Sequence, residues 1–301
     1  MTANAAGEAE TGPLRLHFDR TIKLVFQGSS ISSDSGLLLH RELDDALGLT
    51  DMAAEMLFDP RTGRNGQHQL GGFLRQSVFS RLAGWEDVND ADRLRFDPVM
   101  RQIVGGKAVK RGAASASAMA RFETEMLTQA KNLSALADLP GRWIDTVHDK
   151  QPPKFITLDM DSSESPVHGE QEGAMWNGHF QSKCLHPLFV FNQYGDLERC
   201  ALRPGNVHSA DGWEDVLKPV LARYSRSVYP SLQRRRFRTD AAFAIPELFE
   251  LLEDEGWDYA IRIKGNPKLH VQIDWLTRRR PGRPPNHIVR YYTSFHYRAK
   301  S

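Results

Sequence analysis

Two aspartates stand where short strands should end. Phe155-Ile-Thr-Leu-Asp-Met-Asp161 and Arg236-Phe-Arg-Thr-Asp240 both read as strands, rich in β-formers and closed by an acidic residue. A carboxylate at a strand end faces a crevice yet is held by the sheet. Two such groups from separate strands can grip a divalent cation between them. Their hard oxygens suit Mg²⁺, with Mn²⁺ as an alternative. In phosphoryl transfer, cations held this way stabilise the attacking and leaving oxygens of an in-line displacement. Asp159 shares a face with Asp161, because strand side chains repeat every two residues. It could support the site from behind, or simply bond to backbone. Against the metal reading, Asp starts turns and caps helices, so a strand-end Asp does not by itself identify a ligand.

The elements that must position these groups follow a change of pattern. Residues 14–149 read as mainly helical. Gly36–Leu47 has helical apolar spacing with Ser35 as a cap, Gln67–Leu82 repeats the pattern, and Ala113–Ala137 reads as a longer Ala-rich helix. Lys150-Gln-Pro-Pro153 is a boundary. Beyond it, strands are expected at 155–161, 187–192, 197–202, 236–240 and 257–264. Helices are expected at Ser209–Tyr224, kinked or ended early by Pro219, and from Pro246 to Glu255. Three meandering strands followed by alternating helix and strand predict an α/β fold, a mixed sheet with helices on its faces. From Gly265 the chain turns polar and basic, with a further strand-like stretch at Ile288–Tyr297. Residues 1–13 are small, polar and acidic, and read as a disordered tail.

Bulk properties narrow the functional classes. The 301 residues, 40% hydrophobic, suffice for two domains. Net charge is +1, so any affinity for nucleic acid must be local. Two such local clusters exist: Arg234, Arg235, Arg236 and Arg238 just before Asp240, and Arg278, Arg279, Arg280 and Arg283 in a Pro-Gly stretch. Either could contact phosphates or be an ordinary solvated charge run. No apolar run is long enough to span a membrane. No glycine-rich phosphate loop appears, which argues against a nucleotide cofactor. Cys184 and Cys200 form no C-x-x-C pair and suggest a reducing, cytoplasmic setting. His168, His179, His186 and His208 fit no zinc spacing. Trp85 and Trp213 sit among helical apolar positions, as core residues do.

Several ordered stretches resemble one family. Leu158-Asp-Met-Asp-Ser-Ser163 is similar to the first-Asp motif of bacterial insertion-sequence DDE transposases, where a small and a hydroxyl residue follow the catalytic Asp. That rule selects Asp161 over Asp159. Val167-His-Gly-Glu-Gln171, Arg238-Thr-Asp-Ala-Ala-Phe243 and Asp258-Tyr-Ala-Ile-Arg-Ile-Lys-Gly-Asn266 resemble the stretches that follow. Ser33-Asp-Ser-Gly-Leu-Leu-Leu39, the run from Arg81 to Leu94, and Ala120-Arg-Phe-Glu123 are similar in the N-terminal part. The pattern is that of the insertion sequence 1380 type, from about Ile22 to Ser301.

The resemblance implies an RNase H-like core at 154–264, with the first and fourth strands side by side, behind a helical domain for DNA-end binding or dimerisation at 14–149. Residues 265–301 would begin a β-rich insertion. It also implies metal-dependent cleavage and strand transfer on DNA. Asp161 and Asp240 would be catalytic metal ligands, the protein a homodimer, and its location the nucleoid. The family's third catalytic residue is a Glu beyond the insertion. No residue here matches it, Glu253 and Glu255 included. The chain is therefore expected to be a C-terminally truncated copy with little activity of its own. The alternative is a non-catalytic DNA-binding or dimerising remnant.

Overall fold

The computed structural model describes residues 14–24, 34–62, 66–278, 281–283 and 285–298. The expected disordered tail at 1–13 lies outside the described residues, as do Arg279 and Arg280. A two-residue antiparallel pair, β1 (Leu14–Arg15) and β2 (Lys23–Leu24), leads into helices α1 (Leu37–Leu47), α2 (Leu49–Met56), α3 (Leu70–Leu82), α4 (Ala91–Leu94), α5 (Pro98–Val104), α6 (Ala108–Arg111), α7 (Ala116–Arg121) and α8 (Ala130–Lys150). Their apolar residues form two cores, one around Leu38, Phe79, Met100 and Ile103, the other around Leu57, Phe73, Met119 and Phe122. None of the described helices is long and apolar enough to cross a membrane.

The expected 113–137 helix is broken. After α7 a π-helical turn at Phe122–Met126 intervenes, and α8 begins only at Ala130. The sequence contains the cause. Thr124 Oγ1 donates to the Ala120 carbonyl at 2.9 Å, and Thr128 Oγ1 to the Thr124 carbonyl at 2.7 Å. Such back-bonding competes with the regular ladder and bends helices. Ser35 does not cap α1 with its side chain. The cap position is Gly36, and Ser35 offers only its carbonyl, to the Leu38 N–H.

After the Pro152-Pro153 boundary come β3 (Phe155–Ser162), a small three-stranded sheet of β4 (Ser165–Pro166), β5 (Met175–Asn177) and β6 (Ser182–Leu185), then β7 (Leu188–Asn192), β8 (Leu197–Ala201), α9 (Trp213–Arg223), β9 (Arg234–Thr239), α10 (Pro246–Asp254), β10 (Asp258–Ile261) and α11 (Pro267–Thr277). The main sheet runs β10-β9-β3-β7-β8, with β9 parallel to both β3 and β10, and β7 antiparallel to both β3 and β8. It is a mixed sheet with flanking helices. The period of two splits its faces. Ile156, Leu158, Met160, Leu188, Val190 and Phe237 point into a core closed by Val216, Leu217 and Val220 of α9 and Leu248 and Leu252 of α10. The opposite face carries Asp159, Asp161, Phe189, Phe191, Arg236 and Arg238.

Helix α9 passes through Pro219 to Arg223 rather than ending there. Its start is later than expected, after Gly212 in the left-handed region. Residues 267–277 form a helix where the sequence suggested the start of a β-rich insertion. Asn266 caps it by accepting from the Leu269 N–H at 3.1 Å, and Pro267 holds the first position. The described residues of Ile288–Tyr297 form no strand. Ile288 and Tyr292 are 80% and 84% exposed, and a lone segment has no ladder partner to make it regular.

The helical region is tied to the sheet through α8, which packs on β8. Asp138 pairs with Arg199, and Asp145 accepts from the Tyr229 hydroxyl at 2.7 Å. Glu198 is buried at the centre of this junction. It accepts from the Tyr224 hydroxyl at 2.7 Å and Asn192 Nδ2 at 2.9 Å, and pairs with Arg223.

Candidate functional site

Strands β3 and β9 are parallel neighbours, with Asp159 opposite Arg238 and Met160 opposite Thr239. Continuing that register by one residue sets Asp161 beside Asp240, on strands about 4.8 Å apart. Both side chains lie at the C-terminal end of the parallel pair, on the face away from the core. Asp161 accepts from the Ser162 N–H at 2.8 Å. Asp240 accepts from the Ala242 N–H at 2.9 Å and so caps a 3₁₀ turn at Ala241–Phe243. The turn-capping role open from sequence is therefore real for Asp240, and it engages one of the two carboxylate oxygens.

The Asp161 carboxyl is held above the ordinary carboxylate range. Crowding by neighbouring atoms is the main cause, although the side chain as a whole is exposed. The Ser162 hydrogen bond opposes it, the charge of Asp240 adds to it, and His186 pulls the other way. The two carboxylates thus repel one another, an electrostatic condition that a divalent cation relieves. They supply two hard ligands and no more. Among the described residues, no group of three or more His, Cys, Asp or Glu side chains is disposed to hold a metal ion.

Beside Asp240 opens a cleft of about 540 Å³, walled by Phe180, His186, His208, Arg262 and Lys264 among others. Asp161 is not in its wall. The cleft was not foreseen from sequence, because it is assembled from the small sheet, the loop before α9 and the chain after β10. Near it, Gly205 packs closely against the Met175–Cys184 pair of β5 and β6. Its carbonyl accepts from Asn177 Nδ2 at 2.6 Å, and any Cβ there would collide with the Cys184 and Met175 carbonyls.

The remaining sequence candidates separate. Asp159 forms a two-pronged pair with Arg238, both contacts 2.6 Å, across the β3–β9 register. Arg238 is thereby engaged by a carboxylate. Arg235 points to the core side, is 5% exposed, and donates to the Tyr224 and Tyr229 carbonyls at 2.6 and 3.2 Å. It is not part of any surface patch, which corrects the reading of four arginines as one cluster. Arg236 is half-buried, its guanidinium 5.6 Å from the Phe155 ring centre. Arg234 is exposed. Arg278 is exposed and paired with Asp274 at 2.6 Å, and Arg283 is exposed. Glu253 and Glu255 close α10 just before β10 begins, so they lie at the opposite end of the sheet from Asp240. Glu253 accepts from the Tyr259 hydroxyl at 2.7 Å.

Three N-terminal stretches singled out by resemblance meet in space. Arg81 pairs with Glu123 at 3.0 Å, and Trp85 Nε1 donates to Asp34 at 3.2 Å. Charged and aromatic residues distant in sequence here lock α1, α3 and the π turn together.

A family model described as "Transposase DDE domain group 1" matches residues 14–301. No curated protein matched the chain. Among solved structures, the chain is similar to a piggyBac transposase in a synaptic complex with hairpin DNA, at 12% identity and a TM-score of 0.29, covering 85% of this chain and 48% of that one. It is also similar to Mos1 transposase in a paired-end complex with the left transposon end, at 11% identity and a TM-score of 0.25, covering 67% of this chain and 61% of that one. The chain thus spans about half to three-fifths of those proteins. Likeness at these TM-scores is too distant to bear on individual residues.

Proposed function

Since the chain belongs to the group 1 family of DDE transposase domains, we propose that it acts on DNA, with Asp161 and Asp240 as ligands for a divalent cation, Mg²⁺ or Mn²⁺. The observation that carries this reading is the placement of the two carboxylates side by side at the C-terminal ends of adjacent parallel strands. The strand order, with the first strand of the sheet central and flanked by the second and fourth, supports an RNase H-like core.

The chain's own residues have three tasks in this scheme. β3 and β9 hold the two carboxylates in fixed register. Asp159 and Arg238 brace the same strand pair one step back, with each group neutralising the other. Asp240, anchored at one oxygen by the Ala242 N–H, presents the other to the open face. A bound cation would supply activation of the attacking oxygen and stabilisation of the leaving one. We assign this stretch of chain a part in DNA binding and metal-dependent strand cleavage, within a homodimeric assembly on element ends.

The test combines Mn²⁺ titration by calorimetry with a gel assay on duplex DNA. Wild type should bind Mn²⁺ more tightly than Asp161→Asn and Asp240→Asn, and all three should shift DNA, with affinity falling steeply as salt rises. Equal Mn²⁺ affinity in the three proteins would remove the metal assignment. Failure to shift DNA even at low salt would remove the proposed function.

A further inference from the structure

We propose that the cavity between the end of α8 and the β7–β8 turn is a docking groove for the proline-rich basic segment Arg278-Arg-Arg-Pro-Gly-Arg-Pro-Pro285 of a second copy of this chain. The proposal rests on the homodimeric part of the reading above and gives it one specific contact, without use of the aspartate pair or of DNA.

The cavity holds about 530 Å³, within the ~300–1,000 Å³ of ordinary ligand pockets. It opens at the Phe155 end of β3, about 20 Å along the strand from Asp161. Its walls include Trp143, Phe155, Tyr194, Pro152 and Pro153. The Trp143 ring is fixed, its Nε1 donating to the Leu47 carbonyl at 3.1 Å. Tyr194 and Phe155 are 63% and 43% exposed, apolar surface that the described residues leave uncovered. His148 lines the same cavity. It is 5% exposed, and its Nδ1 is buried without a hydrogen-bond partner. Burial is the main reason the ring is held below the ordinary histidine range, so it is neutral at pH 7 and keeps one N–H to donate. Asp196 in the wall is exposed, bonded to Asn192 Nδ2 at 3.1 Å and in no ion pair among the described residues. Asp149, close enough to act on the charge of His148, is exposed and unpaired in the same sense. Lys154 is the one cation among the lining residues.

The occupant follows from what such walls bind. Aromatic-lined grooves take polyproline II segments, whose three-residue turn puts every third side chain on one edge. Arg278, Pro281 and Pro284 fall on one such edge. The Arg278 backbone leaves α11 at φ −60° and ψ 125°, close to that conformation. The prolines hold φ in the same range, so little freedom is lost on docking. A polyproline II ligand has no internal hydrogen bonds, and its open carbonyls can accept from the His148 N–H. Its arginines meet Asp196 and Asp149. In its own helix Arg278 holds only the exposed Asp274, a pair worth little. Pro281, Gly282, Arg283 and Pro285 are exposed in their own chain, in a stretch whose flanks are tied where Asn266 Nδ2 donates to the Tyr297 hydroxyl at 3.0 Å. The segment is thus presented outward rather than seated, and a second copy supplies it.

The test uses the full chain without DNA or metal. A labelled peptide of residues 276–288 is titrated with protein and read by anisotropy. It should bind saturably, and the same peptide with Pro281→Ala and Pro284→Ala should bind about tenfold more weakly or worse, having lost both anchors. Tyr194→Ala and Phe155→Ala, at exposed positions, should each weaken the wild-type peptide by about five- to tenfold. Asp196→Asn should weaken it about two- to fivefold at low salt and not at high salt. In sedimentation velocity the full chain should self-associate as its concentration rises, and excess peptide or the double proline substitution should reverse this. Equal binding of the two peptides, or unchanged binding by Tyr194→Ala, overturns the groove. A chain that stays monomeric at every concentration, or a dimer indifferent to excess peptide, overturns the second copy as occupant. A chain that shifts DNA yet binds no peptide overturns this proposal alone and leaves the function above standing. The comparison of the two peptides decides even if a protein variant fails to fold.

Discussion

Replacing Asp161 by Asn should stabilise the metal-free protein and abolish its stabilisation by metal. The Asp161 carboxyl is held above its ordinary value by crowding and by the charge of Asp240. A carboxyl whose folded value is raised favours the fold most at pH below its unfolded value, and that contribution is lost as pH rises through the folded value. At pH 7 Asp161 is therefore a destabilising group, and the neutral amide relieves it. The size follows from two charges on neighbouring strands. At about 5.5 Å their repulsion is roughly 0.75 kcal/mol with the dielectric of water and about 3 kcal/mol at an effective dielectric of 20. Asp161 is solvent-exposed, so the lower end applies, about 1 kcal/mol, or about 2–4 °C in Tm. Metal reverses the order. Mn²⁺ at 100 times its Kd adds about 2.7 kcal/mol to a protein that binds it and nothing to one that does not. Melting curves of both proteins in EDTA and in Mn²⁺ should therefore cross. The Asn variant melts higher in EDTA and wild type melts higher in Mn²⁺, and the EDTA gap closes as pH falls through the raised Asp161 value. If Asp161→Asn melts lower than wild type in EDTA, and Mn²⁺ moves neither, the carboxylate pair is not an electrostatically frustrated metal site and the reasoning fails.

Three further outcomes follow from the packing. Glu198→Gln keeps the shape of the α8–sheet junction but leaves Arg223 with only its half-exposed partner Asp145. Urea unfolding should show a loss of about 1–3 kcal/mol, less than breaking a fully isolated buried pair. Arg235→Ala should lower stability by about 2–3 kcal/mol through two unmet carbonyls, yet leave the salt slope of DNA binding unchanged. Gly205→Ala forces backbone carbonyls apart and should disorder β5 and β6, seen as lost amide protection over 173–186, while the main-sheet core stays protected.

Much of the sheet half was legible because its signals are local. β3, β7 and β10 are short runs rich in apolar, β-branched or aromatic residues, and the turn Gln193-Tyr-Gly-Asp196 and the prolines at 152–153 and 246 punctuate the elements. Strand boundaries differ from expectation by three residues or fewer, β10 ending at Ile261 rather than 264, while α9 starts four residues later than expected. The small sheet was not legible. Its strands span two to four residues, too few to show alternation, and they owe their pairing to partners across the β6 ladder. The same holds for the cleft, whose walls come from segments about 90 residues apart in sequence. His186 was seen only as one of four histidines without zinc spacing. What distinguishes it, a buried Nε2 without a hydrogen-bond partner, is a property of three dimensions.

The arginine run before Asp240 shows how a correct element assignment can still mislead about chemistry. Read as a charge cluster, Arg234 to Arg238 is one basic patch. Read as a strand, it is two sets of side chains on opposite faces. Phe237, at the centre, must enter the core to close the sheet against Leu248 and Leu252, so Arg235 is committed to the same side and must find carbonyls there. Arg236 and Arg238 then fall on the Asp161 face, where Asp159 stands opposite Arg238 by register and takes up its charge. The strand that delivers Asp240 thus spends most of its own positive charge on structure. Exposed cations that line the cleft with Asp240 come from the next strand over, where Arg262 and Lys264 follow the end of β10.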